Sequence, residues 1–462
     1  MQPATELCTY CTDLTFERLP DDVQRLSKQY TLDTLGIGIR GLETDSGQVV
    51  YDSANEALSG PPESTVWSTG KRESASFAAF VNGSLVHMLE LDDTHREAVI
   101  HPGAPIVAAA MAIGEREDVD GQSFLTAMVA GYEVACRLGM ALRNHRVHLD
   151  RGFHGTATCG VFGGAVAGGL LAGFDAEELE NLLGIVLSQA SGSLQYKENG
   201  AWTKRIHPGL AARDAVLAVS LGKHGFRGAA DPLTGTYGLL NMYGVDPQPD
   251  RLTSGLGSDF EIRRTGIKPY ACCRYNHPAV DATLDLVTEH DIHPDDVEEI
   301  TVSTFESAFA LSNPRDRKIK PQTVVDAQFS PQYAVGVAVV DRAVLPDQFT
   351  RARLTDPALR GLLERIVVEE DPSMTDRFPA AWPTSVRIET ADESLTATVE
   401  GPRGEPERRL TVEAIVEKFR SVTSPATTDA ATDTIIEHVL SLESHGLETL
   451  GDTIAAAVET DR

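Results

Sequence analysis

Between His87 and His101 the chain carries three imidazoles and four carboxylates. All but Glu97 lie in the run His87-Met88-Leu89-Glu90-Leu91-Asp92-Asp93-Thr94-His95 and, shortly after it, His101-Pro102-Gly103. The spacing of Ala78, Ala79, Val81, Leu85, Met88 and Leu89 predicts one helix over 76–94. On such a helix His87, Glu90 and Thr94 share a face, Asp93 lies beside it, and Asp92 points elsewhere. Ionisable groups gathered at the mouth of a bundle of small residues are costly to bury without a purpose. The bland alternative is a solvated helix end, the usual place for surface acids.

Four further places pair a reactive group with an apolar or glycine-rich setting. His154 stands between Phe153 and Gly155 at a helix start, where the positive end of the helix favours a neutral, base-competent ring; otherwise it is a structural cap. In Thr203-Lys204-Arg205-Ile206-His207-Pro208-Gly209 a lysine precedes a glycine-bearing helix start of the kind that favours anions, unless it is an ordinary solvated lysine. The loop Lys268-Pro269-Tyr270-Ala271-Cys272-Cys273-Arg274-Tyr275-Asn276-His277-Pro278 gathers Lys268, Arg274 and His277 as a carboxylate clamp, or as a charged surface loop. Finally, Phe329-Ser330-Pro331-Gln332-Tyr333 opens an apolar helix, where a lone tyrosine is more often core with a satisfied hydroxyl.

Helices must position these groups. The pattern predicts them over 17–41, 121–143, 157–172 and 175–189, from Pro102 to about Glu115, and from His207 to about His224. Residues 43–72 read as a polar surface excursion. Gly160, Gly163, Gly164, Gly168 and Gly169 each cost about 1 kcal/mol against alanine in a helix, so that helix belongs where backbones approach closely. Near Gly255 the composition changes. Strands are expected at 259–263, 298–305, 366–369, 385–390 and 394–399, with helices at 278–289 and 326–341, then 410–420 and 432–460. The reading is a mainly α protein with an α+β second domain. It comprises a helical domain over 1–255, an α+β domain over 256–405, and C-terminal helices over 406–462 that rejoin the first.

Bulk properties exclude several functions. The chain has 462 residues and a net charge of −28, from 40 basic and 68 acidic side chains. Such a surface argues against sequence-independent nucleic-acid binding and suits a salt-rich cytosol. The apolar run Ile106–Ile113 falls far short of the roughly 20 residues that span a bilayer. No basic segment followed by an apolar stretch opens the chain, so a cytoplasmic location with no membrane partner is expected. Six cysteines suggest no disulfide framework in a chain of this size. Cys8-Thr9-Tyr10-Cys11 lacks a second CxxC for zinc, and no set of cysteines suits an iron–sulfur cluster.

Taken in order along the chain, several of these segments resemble the MmgE/PrpD family. They are Leu32-Asp33-Thr34-Leu35-Gly36, Asn82-Gly83 through Asp92-Asp93-Thr94, His101-Pro102-Gly103, Gly152-Phe153-His154, Lys204 through Gly209, Lys268-Pro269-Tyr270 with His277, and Phe329 through Tyr333. The resemblance implies a large helical domain with a smaller α+β lid, the active site between them, and a homodimer. Glu90, His101, His154, Lys204, His277 and Tyr333 would face that cleft. Where family members usually carry Asp-x-Asp-Asp-Thr, this chain has Glu90-Leu91-Asp92-Asp93-Thr94, which moves the carboxylate by a methylene.

The implied activity is a cofactor-free dehydratase for a hydroxy di- or tricarboxylate such as 2-methylcitrate, in propionate catabolism. His154 or Glu90 would be the base and His101 the proton donor. Lys204 and Tyr333 complete the catalytic set, with Asp93, Thr94, Lys268, Arg274 and His277 holding substrate. Related alternatives are a cis-aconitate-type decarboxylase and a dicarboxylate epimerase. Two more distant ones are metal-assisted hydrolysis on His87, Glu90, Asp93 and His101, and a carboxylate-binding protein without catalysis.

Overall fold

A computed structural model describes residues 2–198, 200–378 and 380–458. The chain forms two compact units. One holds the residues up to Met88, Asp92–Ile267 and the segment from Thr411 onward; the other holds Leu89–Leu91 and Lys268–Leu410. The first is helical and the second is α+β.

In the helical unit, Ala75–Val86, Gly103–Arg116, Gly121–Leu142, Gly160–Leu171 and Thr203–Lys223 pack on one another. Small residues set the distances. A Cβ on Gly83 would lie 3.0 Å from the Gly209 Cα, and one on Gly163 would lie 2.6 Å from the Gly131 carbonyl oxygen. At Gly209 an added methyl would overlap the Ser84 hydroxyl and the Phe80 carbonyl. Gly209→Ala is therefore expected to cost about 3 kcal/mol. A urea midpoint equal to that of the parent protein would show that the two helices separate freely. Among the described helices, Gly121–Leu142 is the one long and apolar enough to cross a membrane, but its apolar window is entirely buried by its neighbours.

C-terminal helix Val412–Thr423 packs on Asp21–Gly41, with Phe419 lying against Gly36. There the buried Lys418 ammonium sits 2.5 Å from the Asp33 carboxylate. In the second unit a four-stranded sheet runs in the order Ile366–Glu370, Val297–Thr304, Thr384–Thr390, Ser394–Val399. The first pair is parallel and the others antiparallel. Ile300, Val302, Val386 and Ile388 bury one face, against which the helix His277–Glu289 packs.

Several local expectations are corrected. The helix predicted over 76–94 ends at Val86, so His87, Glu90 and Thr94 share no helical face. Side chains of the following acids bond nearby rings and backbone amides, which competes with helix continuation, and Glu90 adopts φ +53°. Residues 43–72 contain the helix Asp45–Ala57, capped by the Thr44 hydroxyl. Thr203 starts a helix that was expected at His207, with Pro208 inside it; as the sixth helical residue, this proline supplies no N–H to the hydrogen-bond ladder. The strand expected at 259–263 is a 3-10 turn, Glu261–Arg264. Residues 256–267, assigned from composition to the second domain, belong to the helical unit because Thr265–Gly266 pairs with Thr94–His95. The helix expected over 326–341 breaks at Ser330-Pro331, and that over 432–460 breaks after Leu440; residues 459 and 460 lie outside the described residues.

Candidate active site

Beyond Val86 the chain turns, and its acids become acceptors. Asp92 Oδ2 lies 2.6 Å from His87 Nδ1 and 3.4 Å from His101 Nδ1. The Asp93 carboxylate accepts from the Gly103 amide at 3.0 Å and from the Tyr132 hydroxyl at 2.7 Å. Burial pushes the Asp93 carboxyl up to about 7, opposed by the Tyr132 hydrogen bond. The expected substrate-binding role of Asp93 thus gives way to holding the helix Gly103–Arg116 against Gly121–Leu142. The Asp93 backbone carbonyl accepts from His101 Nδ1 at 2.8 Å, and Thr94 Oγ1 is 3.4 Å from the same nitrogen.

His154 precedes the short helix Gly155–Thr158, and its amide donates to the Gly192 carbonyl at 2.9 Å. His207 comes from the helix that begins at Thr203, and its Nδ1 lies 3.0 Å from His154 Nδ1. One of these nitrogens must donate to the other. Lys204 is buried one turn before His207, on the same helix face.

His87, His101 and His154 bring their ligating nitrogens within 4.8 Å of one another. The His154 ring is held well below the ordinary imidazole range, first by burial, then by the neighbouring His87 and Lys204 charges. His207 is lowered to about 4, again mainly by burial. A helix N-terminus was the expected cause at His154; the helix there has only four residues, and desolvation dominates.

So the helical unit gathers His101, His154 and the buried Lys204 together with His87 and His207. In the sequence His87 stands in the first motif and serves only as a ligand of the metal-hydrolysis alternative, and His207 stands in the run 203–209 with no role of its own. Neither is placed in the proton-transfer set there, because no periodicity links residues 87, 154 and 207.

In the second unit, Lys268 and Glu90 are buried together. Lys268 Nζ donates to the Glu90 carbonyl at 3.2 Å and lies 3.5 Å from Glu90 Oε2. The expected clamp at Arg274 is corrected: its guanidinium Nε donates to Glu405 at 2.7 Å, forming a buried internal pair. His277 accepts from Arg274 through Nδ1 at 3.3 Å and donates through Nε2 to the Cys272 carbonyl at 3.2 Å. This ring fixes the loop rather than offering a donor to substrate. Tyr333 is also corrected. Its hydroxyl donates to the Gln348 carbonyl at 2.7 Å and its ring packs on Phe349, as a core tyrosine.

Comparison with known proteins covers nearly the whole chain. Residues 5–252 match the MmgE/PrpD N-terminal domain and residues 270–443 match the MmgE/PrpD C-terminal domain. A cis-aconitate decarboxylase of Aspergillus terreus is 27% identical over 461 residues, 95% of this chain and 93% of that protein. The cis-aconitate decarboxylase of Homo sapiens is 26% identical over 436 residues, 92% of this chain and 88% of that protein. A cis-aconitate decarboxylase-like protein of Aspergillus oryzae is 28% identical over 466 residues, 95% of this chain and 94% of that protein.

Proposed function

The chain belongs to the MmgE/PrpD family, and from that premise we propose that it is a cofactor-independent lyase acting on a small di- or tricarboxylate. Its chemistry is proton transfer at a carbon beside a carboxylate. The observation that carries this reading is the gathering of His87, His101, His154 and His207 beside the buried Lys204. Burial and a neighbouring positive charge favour a neutral His154 as the base for the carbon-bound proton. His101, oriented by the Asp93 carbonyl and partly exposed, is the proton donor to the leaving group. Lys204 pairs with a substrate carboxylate.

Dehydration of a hydroxy tricarboxylate such as 2-methylcitrate is the first reading. It needs both an acid and a base, and the cluster supplies more than one ring for each role. The second reading is decarboxylation of cis-aconitate, favoured by the names of the relatives. Incubating the purified protein with 2-methylcitrate, citrate and cis-aconitate, with product identification by mass, separates the two. One product has lost water and the other carbon dioxide. No turnover of any di- or tricarboxylate in a broad panel would refute both.

A further inference from the structure

The ring centroids of His87 and His101 are 4.9 Å apart, those of His87 and His154 5.7 Å, and those of His101 and His154 6.3 Å. The remote nitrogens of two rings already have acceptors. His87 Nδ1 faces the Asp92 carboxylate and His101 Nδ1 faces the Asp93 carbonyl. A carboxylate or carbonyl on the far nitrogen is the usual outer arrangement of a metal-binding histidine, because it sets the tautomer and leaves the Nε2 lone pair for the ion. His154 fits the same pattern when its Nδ1–H donates to His207 Nδ1 at 3.0 Å.

We propose that His87, His101 and His154 together bind one divalent transition-metal cation of the zinc class through three Nε2 atoms. Three imidazoles with a vacant fourth position match the donor set of open zinc sites, and nitrogen donors select zinc, cobalt, nickel or copper over magnesium and calcium. Nitrogens on a tetrahedral zinc lie about 3.3 Å apart, from zinc–nitrogen bonds of about 2.0 Å. The rings, whose nitrogens lie within 4.8 Å of one another, close on the ion by rotation about their side-chain bonds. Glu90 and Asp93, considered from sequence as ligands, have no part in it. Asp93 is held by Gly103 and Tyr132.

The cation occupies the lone pairs through which the lyase would move protons, so it inhibits; this consequence rests on the functional reading above, whereas binding does not. The test is titration of the chelator-treated full-length protein with cobalt(II) chloride, followed by visible absorption. One equivalent with an intense tetrahedral ligand-field band is expected, displaced by zinc chloride. His101→Ala, whose wild-type side chain is 15% exposed and so tolerates loss, should weaken cobalt binding at least about 100-fold. Asp92→Asn should weaken it about 10- to 100-fold. No stoichiometric binding, or binding unchanged in both His101→Ala and His154→Ala, overturns the proposal. Stoichiometric binding that leaves lyase turnover intact would confirm the site and remove these rings from the proton-transfer mechanism.

Discussion

His154→Gln is expected to lower kcat on the tricarboxylate substrate by about 10²- to 10⁴-fold, the usual contribution of a positioned acid or base. Glutamine keeps a polar group of similar reach but cannot take up a proton near neutral pH. KM should change little, because the ring moves a proton rather than binding carboxylate. His207→Ala should fall short of this, by about tenfold, since His207 acts on the reaction through the Nδ1 of His154. Steady-state kinetics and a thermal melt on the same preparations check both. If kcat of His154→Gln stays within about tenfold of the parent protein, His154 is not the base.

Arg137→Met is expected to destabilise the helical unit by about 3–5 kcal/mol, a large part of a typical folding free energy. Arg137 is almost completely buried. It donates to Glu133 at 2.9 Å, to the Ser254 carbonyl at 2.7 Å and to the Asp259 carbonyl at 3.0 Å, and lies 3.8 Å from Glu261. Removing the guanidinium leaves the buried Glu133 carboxylate without its cation and near the Glu261 charge, together with two carbonyls that lose their donor. Burial already pushes Glu133 up to about 7, with the Glu261 charge adding to the rise. The double variant Glu133→Gln/Arg137→Met should recover part of the loss, because the stranded charge goes with it. Denaturant unfolding of all three proteins measures this. A single variant as stable as the parent would mean that the pair is solvated.

Residue type and order along the chain were enough to read the fold class, most helices, the four strands of the α+β sheet and the family. Those readings rest on periodicity and motif order, which survive without coordinates. The strand at 384–390 alternates in burial over most of its length, and the small-residue helix Gly160–Leu171 lies where its glycines allow close backbone contact.

What only the tertiary structure decided is which polar groups already have a partner inside the protein. Asp93, Arg274, His277 and Tyr333 read as substrate contacts or catalytic groups in sequence, because a reactive side chain looks the same whether its acceptor is a ligand or a backbone carbonyl. Their partners Tyr132, Glu405, Cys272 and Gln348 are not announced by any motif. Equally, three rings from residues 87, 154 and 207 come together through helix crossings set by glycines. A long-range contact of that kind leaves no period in the chain.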